Sequence, residues 1–205
     1  MSVTIIIAII TSLVSVIAFK NPDIKDKLSF NAYKISHNKE IHRIFTHALI
    51  HADWMHLIIN ILVFVSFGNV VEQYFQIFFP DKYLLYYLTL YIGGIIFSSI
   101  YGLMKHKDNY YYNAVGASGA VSAILFASIL IDPLHELYFY MIFPIPGIVF
   151  GVLYLFYSYK MNKRGGDNIA HDAHLFGAIF GMIYPVMIMP NLFMHFIKEI
   201  LSVFG

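Results

Sequence analysis

The chain has 205 residues, of which 59% are hydrophobic and 12% are charged, and its formal net charge at pH 7 is +1. This composition is typical of a membrane protein rather than a soluble domain, and so small a net charge gives no reason to expect nucleic-acid binding. The chain has no cysteine, which excludes disulfides, thiolate metal sites and a cysteine nucleophile.

Six apolar stretches predict six membrane crossings within a single domain over residues 1–205. A helical crossing needs about 20 residues, and polar or proline-containing segments separate the candidates. The predicted spans are residues 3–19, 54–79, 83–104, 114–131, 146–160 and 169–189. The predicted fold class is therefore an all-α membrane protein, a polytopic six-transmembrane-helix bundle with an interfacial first loop and a short re-entrant loop before the fourth helix.

The first span has neither the basic leading region nor the small-residue cleavage site of a signal peptide, so we expect a membrane helix. The polar stretch Lys20–Asp53 follows and starts with the helix breaker Asn21-Pro22. In its second half, Ile41–Ile50, apolar and polar residues alternate at helical spacing. This pattern predicts a segment that lies along the membrane interface.

The connections between the later spans are more varied. If the fourth helix begins at Ser118, then Tyr110–Ala117 must dip into the membrane as a re-entrant loop. Leu134–Phe143 is apolar but too short to cross, and Pro144–Gly147 interrupts it, so we expect it to lie at the interface. The tail Asn191–Gly205 carries an apolar stripe suited to the membrane surface.

Polar side chains on three spans are expected to meet. Spans two, four and six cross the bilayer in the same sense. His56 and Asn60 come soon after Trp54, Ser118 begins the fourth apolar stretch, and His174 lies early in the sixth. Because ionisable and polar side chains within spans tend to face a bundle interior or a water-filled cavity, this common depth predicts one hydrated site.

The chemistry of these residues suggests roles for them. Ser118 would be a nucleophile and His174 its general base. His56 and Asn60 lie four residues apart on one helical face and could direct two hydrogen-bond donors at a developing oxyanion. No acid is clearly placed to orient His174, since Asp172 would face elsewhere on a helix. The minimal machinery is a Ser–His dyad.

These motifs resemble those of the rhomboid family of intramembrane serine proteases, over about Arg43–Gly181. The matching segments are Gly116-Ala117-Ser118-Gly119 for the family's GxSG, His56-Leu57-Ile58-Ile59-Asn60 for its HxxxN and Ala173-His174-Leu175-Phe176-Gly177 for its AHxxG; Arg43 and Gly68-Asn69-Val70-Val71-Glu72 also match. The resemblance implies cleavage of single-span membrane proteins, with water entering from the aqueous side and no metal or other cofactor. It also implies an integral, multi-pass location, here in a bacterial inner membrane, with the bilayer and transmembrane substrates as partners.

The resemblance extends to individual residues. It implies catalytic roles for Ser118 and His174, oxyanion stabilisation by His56, Asn60 and Gly116, and structural support from Arg43, Glu72, Gly119, Gly177 and Gly181, with no metal ligand. We expect Arg43 and Glu72 to brace the interfacial loop. One departure concerns Ser122, four residues after the nucleophile, where some relatives carry a tyrosine that packs on the catalytic histidine.

Other interpretations remain open. His171 is a rival base, although it starts the span and lacks the glycine spacing. His47 and His51 are expected to be structural, near the rim of the site, but with His171 and His174 they could bind a metal. However, HExxH is absent, and residues 164–167 lack the GxGD of aspartyl intramembrane proteases. A non-catalytic rhomboid-like scaffold that binds membrane clients is the third possibility, although such relatives lack the serine or the histidine.

Two arguments about orientation disagree. Eleven of the thirteen lysines and arginines lie on the side that bears the predicted site. The positive-inside rule would turn that side toward the cytoplasm. The simple bacterial members of the family usually open outward. We favour the outward orientation, because the first loop is expected to fold onto the membrane and to mislead the charge count.

Overall fold

The computed structural model describes residues 2–139, 143–164 and 171–203. Helices make up most of this part of the chain, and one short β-hairpin interrupts them. The elements are α1 (Val3–Lys20), α2 (Pro22–Leu28), α3 (Ala32–Asn38), α4 (Arg43–Thr46) with a 3-10 turn at His47–Leu49, α5 (Trp54–Phe78), α6 (Tyr83–His106), α7 (Ser118–Ile131), β1 (Glu136–Phe139), β2 (Phe143–Pro146), α8 (Gly147–Arg164), α9 (His171–Ile188) and α10 (Asn191–Leu201).

Helix α7 forms the centre of the bundle. Every residue from Gly119 to Ile131 is buried, and α7 packs against α5, α6 and α9. Its neighbours approach closely because the contacts are made by small residues. A side-chain carbon on Gly177 of α9 would overlap the carbonyl of Gly119, and one on Gly181 would overlap the carbonyl of Ala123. Small residues of this kind let helix backbones touch within a membrane.

The first loop is folded rather than extended. The side chains of Asn21 and Asn31 cap the first turns of α2 and α3 by accepting hydrogen bonds from backbone N–H groups. Arg43 is only 3% exposed. Its guanidinium donates to the carbonyls of Asp26 and Ser29 and to the carboxylate of Glu40. The loop segments are therefore tied together through Arg43.

Glu72 has a different role from the one predicted. It accepts hydrogen bonds from the Ser2 hydroxyl at 2.6 Å, from the Val3 and Thr4 backbone N–H groups and from the Thr4 hydroxyl. It therefore holds the first turn of α1 against α5, and it does not brace the interfacial loop. Its position near the far end of α5 explains the difference, since the loop lies at the beginning of that helix.

The apolar helices are those of a membrane protein. Among the described residues, α1, α5 and α6 are long and apolar enough to cross a bilayer, and α9 with α10, bent by 116° at their junction, would count as a fourth if the pair were one span. Helix α7 has 14 residues, about 21 Å at 1.5 Å per residue, which is shorter than a hydrocarbon core of about 30 Å. The count of six crossings stays a prediction.

The fourth helix starts at Ser118, four residues after the start of the predicted span at residue 114. In the loop before it, the backbone of Ala114 pairs with that of Phe30 in an isolated antiparallel bridge. Within the apolar segment 134–143, Glu136–Phe139 form β1 of a hairpin with β2. This hairpin is a short exception in a part of the chain that is otherwise helical.

The prolines explain this hairpin. Pro144 and Pro146 lie on β2, and α8 begins directly after them at Gly147. Proline has no N–H to donate, which suits an edge strand, and it does not continue a helix. The prolines therefore end a strand here instead of kinking the fifth helix. That helix also continues to Arg164, beyond its predicted end at residue 160.

The close contact between α9 and α7 leads to a stability prediction. Gly181→Ala should lower the free energy of unfolding by about 1–3 kcal/mol, because the added carbon has no room against the Ala123 carbonyl. Thermal unfolding in detergent measures this. The matched control is Gly102→Ala in α6, where the added carbon would lie 3.5 Å from the Phe30 ring, and this variant should be neutral or slightly stabilised. Equal losses in the two variants would contradict the packing argument.

Candidate active site

A cavity of about 660 Å³ lies between α5, α7, α8 and α9, and the predicted site residues line it. Its polar lining includes Ser118, His174, His56 and Asn60. These residues come from the first two turns of α5, α7 and α9. Helices α5 and α9 also meet at the other end of the bundle, where the Tyr74 hydroxyl of α5 lies 3.4 Å from the sulfur of Met189, just after α9. The two helices therefore run in the same direction from the cavity. The structure thus places the four polar residues around one cavity.

Ser118 is the first residue of α7, and the loop before it is held from two sides. The Gly116 N–H donates to the carbonyl of His47 at 2.9 Å, and Ala114 pairs with Phe30. Gly116 has a φ of +118°, and a side-chain carbon there would lie 2.7 Å from Cε1 of His56. Glycine is required for both reasons. The first N–H groups of α7 have no partner within the helix, so the start of this helix is electropositive beside Ser118.

His56 and Asn60 are placed by the first turns of α5. The Asp53 carboxylate caps the helix by accepting from the His56 N–H at 2.8 Å. The Asn60 amide donates to the His56 carbonyl at 2.9 Å. Because that amide has two N–H groups, one remains to be directed at the cavity. Both side chains can therefore supply donors to the same space.

His51 supports His56 from behind. The Ser15 hydroxyl lies 3.0 Å from the Leu49 carbonyl and 3.0 Å from Nδ1 of His51. The single hydroxyl proton goes to the carbonyl, so Nδ1 carries the proton of the imidazole. The rings of His51 and His56 meet edge-on with centroids 4.9 Å apart. His51 is fully buried, and this burial lowers its pKa to about 3.

His47 lies on the other side of Ser118, beside a second, small cavity. Its Nε2 lies 3.1 Å from the Ser99 hydroxyl, and burial lowers the His47 pKa to about 4. The small cavity has a volume of about 30 Å³, and Asp172 and Ser118 also line it. A space of this size with polar walls can hold a single water molecule. Ser118 therefore lies between a large cavity and a water-sized one.

Two side chains of α8 contact His174. Its ring stacks on that of Tyr154, with centroids 5.6 Å apart and planes 28° apart. Its Nδ1 lies 3.5 Å from the Ser158 hydroxyl. The rival base His171 lies one turn earlier, where its ring meets Tyr157 edge-on at 5.8 Å. Among the described residues around the large cavity, the lining includes His174 and not His171.

Tyr154 and Ser158 were missed in the sequence. They lie four residues apart on α8, so they share one face of a helix. That spacing is a signal in principle, but tyrosines are frequent in this chain and mark membrane interfaces as often as sites. Ser122 was noted only as a departure from the family. Its hydroxyl donates to the Ser118 carbonyl at 2.8 Å and lies 2.6 Å from the Tyr154 hydroxyl.

A metal site finds no support in the part of the chain that the structure describes. Within residues 2–139, 143–164 and 171–203, no group of three or more histidine, aspartate or glutamate side chains is arranged to hold an ion. The histidines proposed as ligands are divided between the two cavities, with His47 at the small one and His174 at the large one. The segment 164–167, compared above with the GxGD motif, lies outside the described residues apart from the backbone of its first position.

The buried His51 predicts a loss of stability in acid. The unfolded chain takes up a proton near pH 6.5, whereas the folded chain holds His51 neutral until about pH 3. The free energy of unfolding should therefore fall by about 1.4 kcal/mol per pH unit from this residue as the pH drops below about 6.5. Thermal unfolding between pH 7.5 and 5 should show a shallower pH dependence for His51→Gln than for wild type. Exposed His37→Gln is the control, and an unchanged slope in His51→Gln would refute the argument.

Comparison with known proteins agrees with this geometry. The family model for the rhomboid domain matches residues 38–191, which is more than half of the chain. The chain is also 27% identical over 158 residues to RHOMBOID-like protein 12, mitochondrial, of Arabidopsis thaliana. The alignment covers 70% of this chain and 45% of that protein, so it spans less than half of the relative's length. The resemblance carried by the motifs is thus confirmed, and the chain belongs to the rhomboid family.

Proposed function

We propose that this protein is an intramembrane serine endopeptidase that hydrolyses peptide bonds in or near transmembrane segments of other membrane proteins. The observation that carries the proposal is the placement of Ser118 and His174 in one cavity, at the beginnings of α7 and α9. Membership of a family made up typically of intramembrane serine proteases supports it. The alternative within the same family is a scaffold that binds membrane clients without cleaving them.

The first half of the reaction forms an acyl-enzyme. The Ser118 Oγ attacks the carbonyl carbon of the scissile bond while His174 accepts the hydroxyl proton. Since Nδ1 of His174 faces Ser158, Nε2 is the nitrogen that takes this proton. The carbonyl oxygen becomes an oxyanion. His174 then gives the proton to the leaving amine as the carbon–nitrogen bond breaks.

The second half regenerates the enzyme. Water attacks the ester carbon, His174 takes a proton from this water, and the carbon–oxygen bond to Ser118 breaks as its Oγ recovers a proton. The water-sized cavity beside Ser118 is a suitable reservoir, because His47, Ser99 and Asp172 give it polar walls.

The oxyanion is the species that the site is best suited to stabilise. His56 and Asn60 are donors from one side of the cavity, and the start of α7 provides backbone N–H groups from the other. Gly116, expected to stabilise the oxyanion, donates its own N–H to the His47 carbonyl. Its contribution is indirect, because the absence of a side chain lets His56 lie against the backbone of the loop. Donors held in place before the reaction stabilise charge without reorganising during it, which is why such an arrangement favours acyl transfer.

The rest of the cavity favours an apolar, extended substrate. Its remaining lining is largely hydrophobic, from Met55, Ile59, Val63, Val121, Leu125 and Phe150. A transmembrane segment offers apolar side chains of this kind, but its helical backbone hides the peptide bonds. We therefore propose that the substrate enters as a locally unwound strand. A bacterial inner membrane as the location stays a prediction; the relative's printed name is that of a mitochondrial protein.

Catalysis by the dyad is tested with purified protein in detergent and a model single-span substrate. Ser118→Ala and His174→Ala should each lower the cleavage rate by about 10³-fold or more, because nucleophile and base act as one unit. A serine-directed fluorophosphonate should label wild type and leave Ser118→Ala unlabelled. The matched control is Ser128→Ala, a buried serine further along α7, which should cleave and label like wild type.

The other outcomes identify the alternatives. Substrate binding without cleavage in wild type would favour the scaffold. Cleavage that survives in both alanine variants and stops with a chelator would favour a metal-dependent hydrolase. Cleavage by Ser118→Ala at the wild-type rate would end the dyad assignment.

A further inference from the structure

The base and the nucleophile belong to α9 and α7, and among the described residues two side chains that contact the base come from α8. The ring of Tyr154 stacks on His174, and no equivalent aromatic can come from position 122 of α7, which is a serine. Tyr154 lies in the wall of the large cavity, next to the reacting residues but on a different helix.

A chain of two hydrogen bonds connects Tyr154 to the nucleophile. The Ser122 hydroxyl has one proton and donates it to the Ser118 carbonyl at 2.8 Å. The contact of 2.6 Å between Ser122 and Tyr154 is therefore donated by the tyrosine hydroxyl. The ring of Tyr154 contacts the base and its hydroxyl contacts the nucleophile's helix. This one side chain therefore contacts both the base and the helix that carries the nucleophile.

The face of α8 opposite Tyr154 is exposed, with Phe156 at 64%. A substitution at Phe156 therefore leaves the contacts of Tyr154 in place.

We propose that Tyr154 is a positioning residue of the protease, whose ring holds the imidazole of His174 in the orientation that the base needs. The inference rests on the proposed function.

The test compares Tyr154→Leu and Tyr154→Phe with wild type, and Phe156→Leu serves as the control on the lipid-facing side of α8. Tyr154→Leu should lower kcat by about tenfold with KM changed less than about twofold, because the aromatic stack on His174 and the hydrogen bond to Ser122 are both lost. Tyr154→Phe should fall between wild type and Tyr154→Leu. The rate of fluorophosphonate labelling of Ser118, which needs an activated serine but no substrate, should follow the same order.

Rescue separates positioning from a structural role. Adding Ser122→Tyr to Tyr154→Leu places an aromatic ring beside His174 from α7, and kcat and the labelling rate should rise above those of Tyr154→Leu. A general destabilisation would not be repaired by this second change. Thermal unfolding of each variant in detergent shows whether the fold is retained.

The outcomes are distinct from those of the dyad test. If wild type cleaves and is labelled but Tyr154→Leu matches it in kcat and labelling rate, the positioning role is overturned while the proposed function stands. The same holds if Phe156→Leu loses as much activity, or if the double variant is no better than Tyr154→Leu. If wild type is neither active nor labelled, the proposed function fails and this inference fails with it.

Discussion

Close backbone contact between α7 and its neighbours is the interaction on which the site depends. Gly119 and Ala123 of α7 meet Gly177 and Gly181 of α9 without intervening side chains. Within a bilayer, helices gain little from hydrophobic burial against each other, so packing of small residues largely determines how they associate. Because the Gly119–Gly177 contact lies within one turn of Ser118 and His174, and the Ala123–Gly181 contact within two, they also determine the separation of the two residues.

The second requirement is that the non-helical backbone before α7 be satisfied. A loop among transmembrane helices is stable only where protein or water accepts and donates its hydrogen bonds. Here Phe30 and the carbonyl of His47 provide partners, and Arg43 holds the surrounding loop segments together. The first loop therefore serves as scaffold for Gly116 and Ser118. It also carries His51, through which α1 supports His56.

Much of the site could be predicted from local spacing. His56 and Asn60 share a helical face whatever surrounds the helix, and Ser118 and His174 each follow a polar segment at the beginning of an apolar stretch. The hairpin β1–β2 could not be predicted in this way, because a short apolar run is compatible with either a strand or a helix and its pairing is decided by another segment. The prediction that Glu72 braces the interfacial loop was wrong for a related reason. The sequence places this residue on α5 but does not show that α1 begins beside it.

The sequence by itself determined the helical class and the small residues at which helices could touch, since these follow from periodicity along one helix. It also determined that four polar residues share a depth, because each lies near the beginning of an apolar stretch. Only the tertiary structure decided that Glu72 meets the first turn of α1, and that Tyr154 and Ser158 contact His174 from α8. The physical reason is that contacts between helices depend on how each helix is rotated and how closely it approaches. Those two quantities are set by packing across the whole bundle, and no local pattern records them.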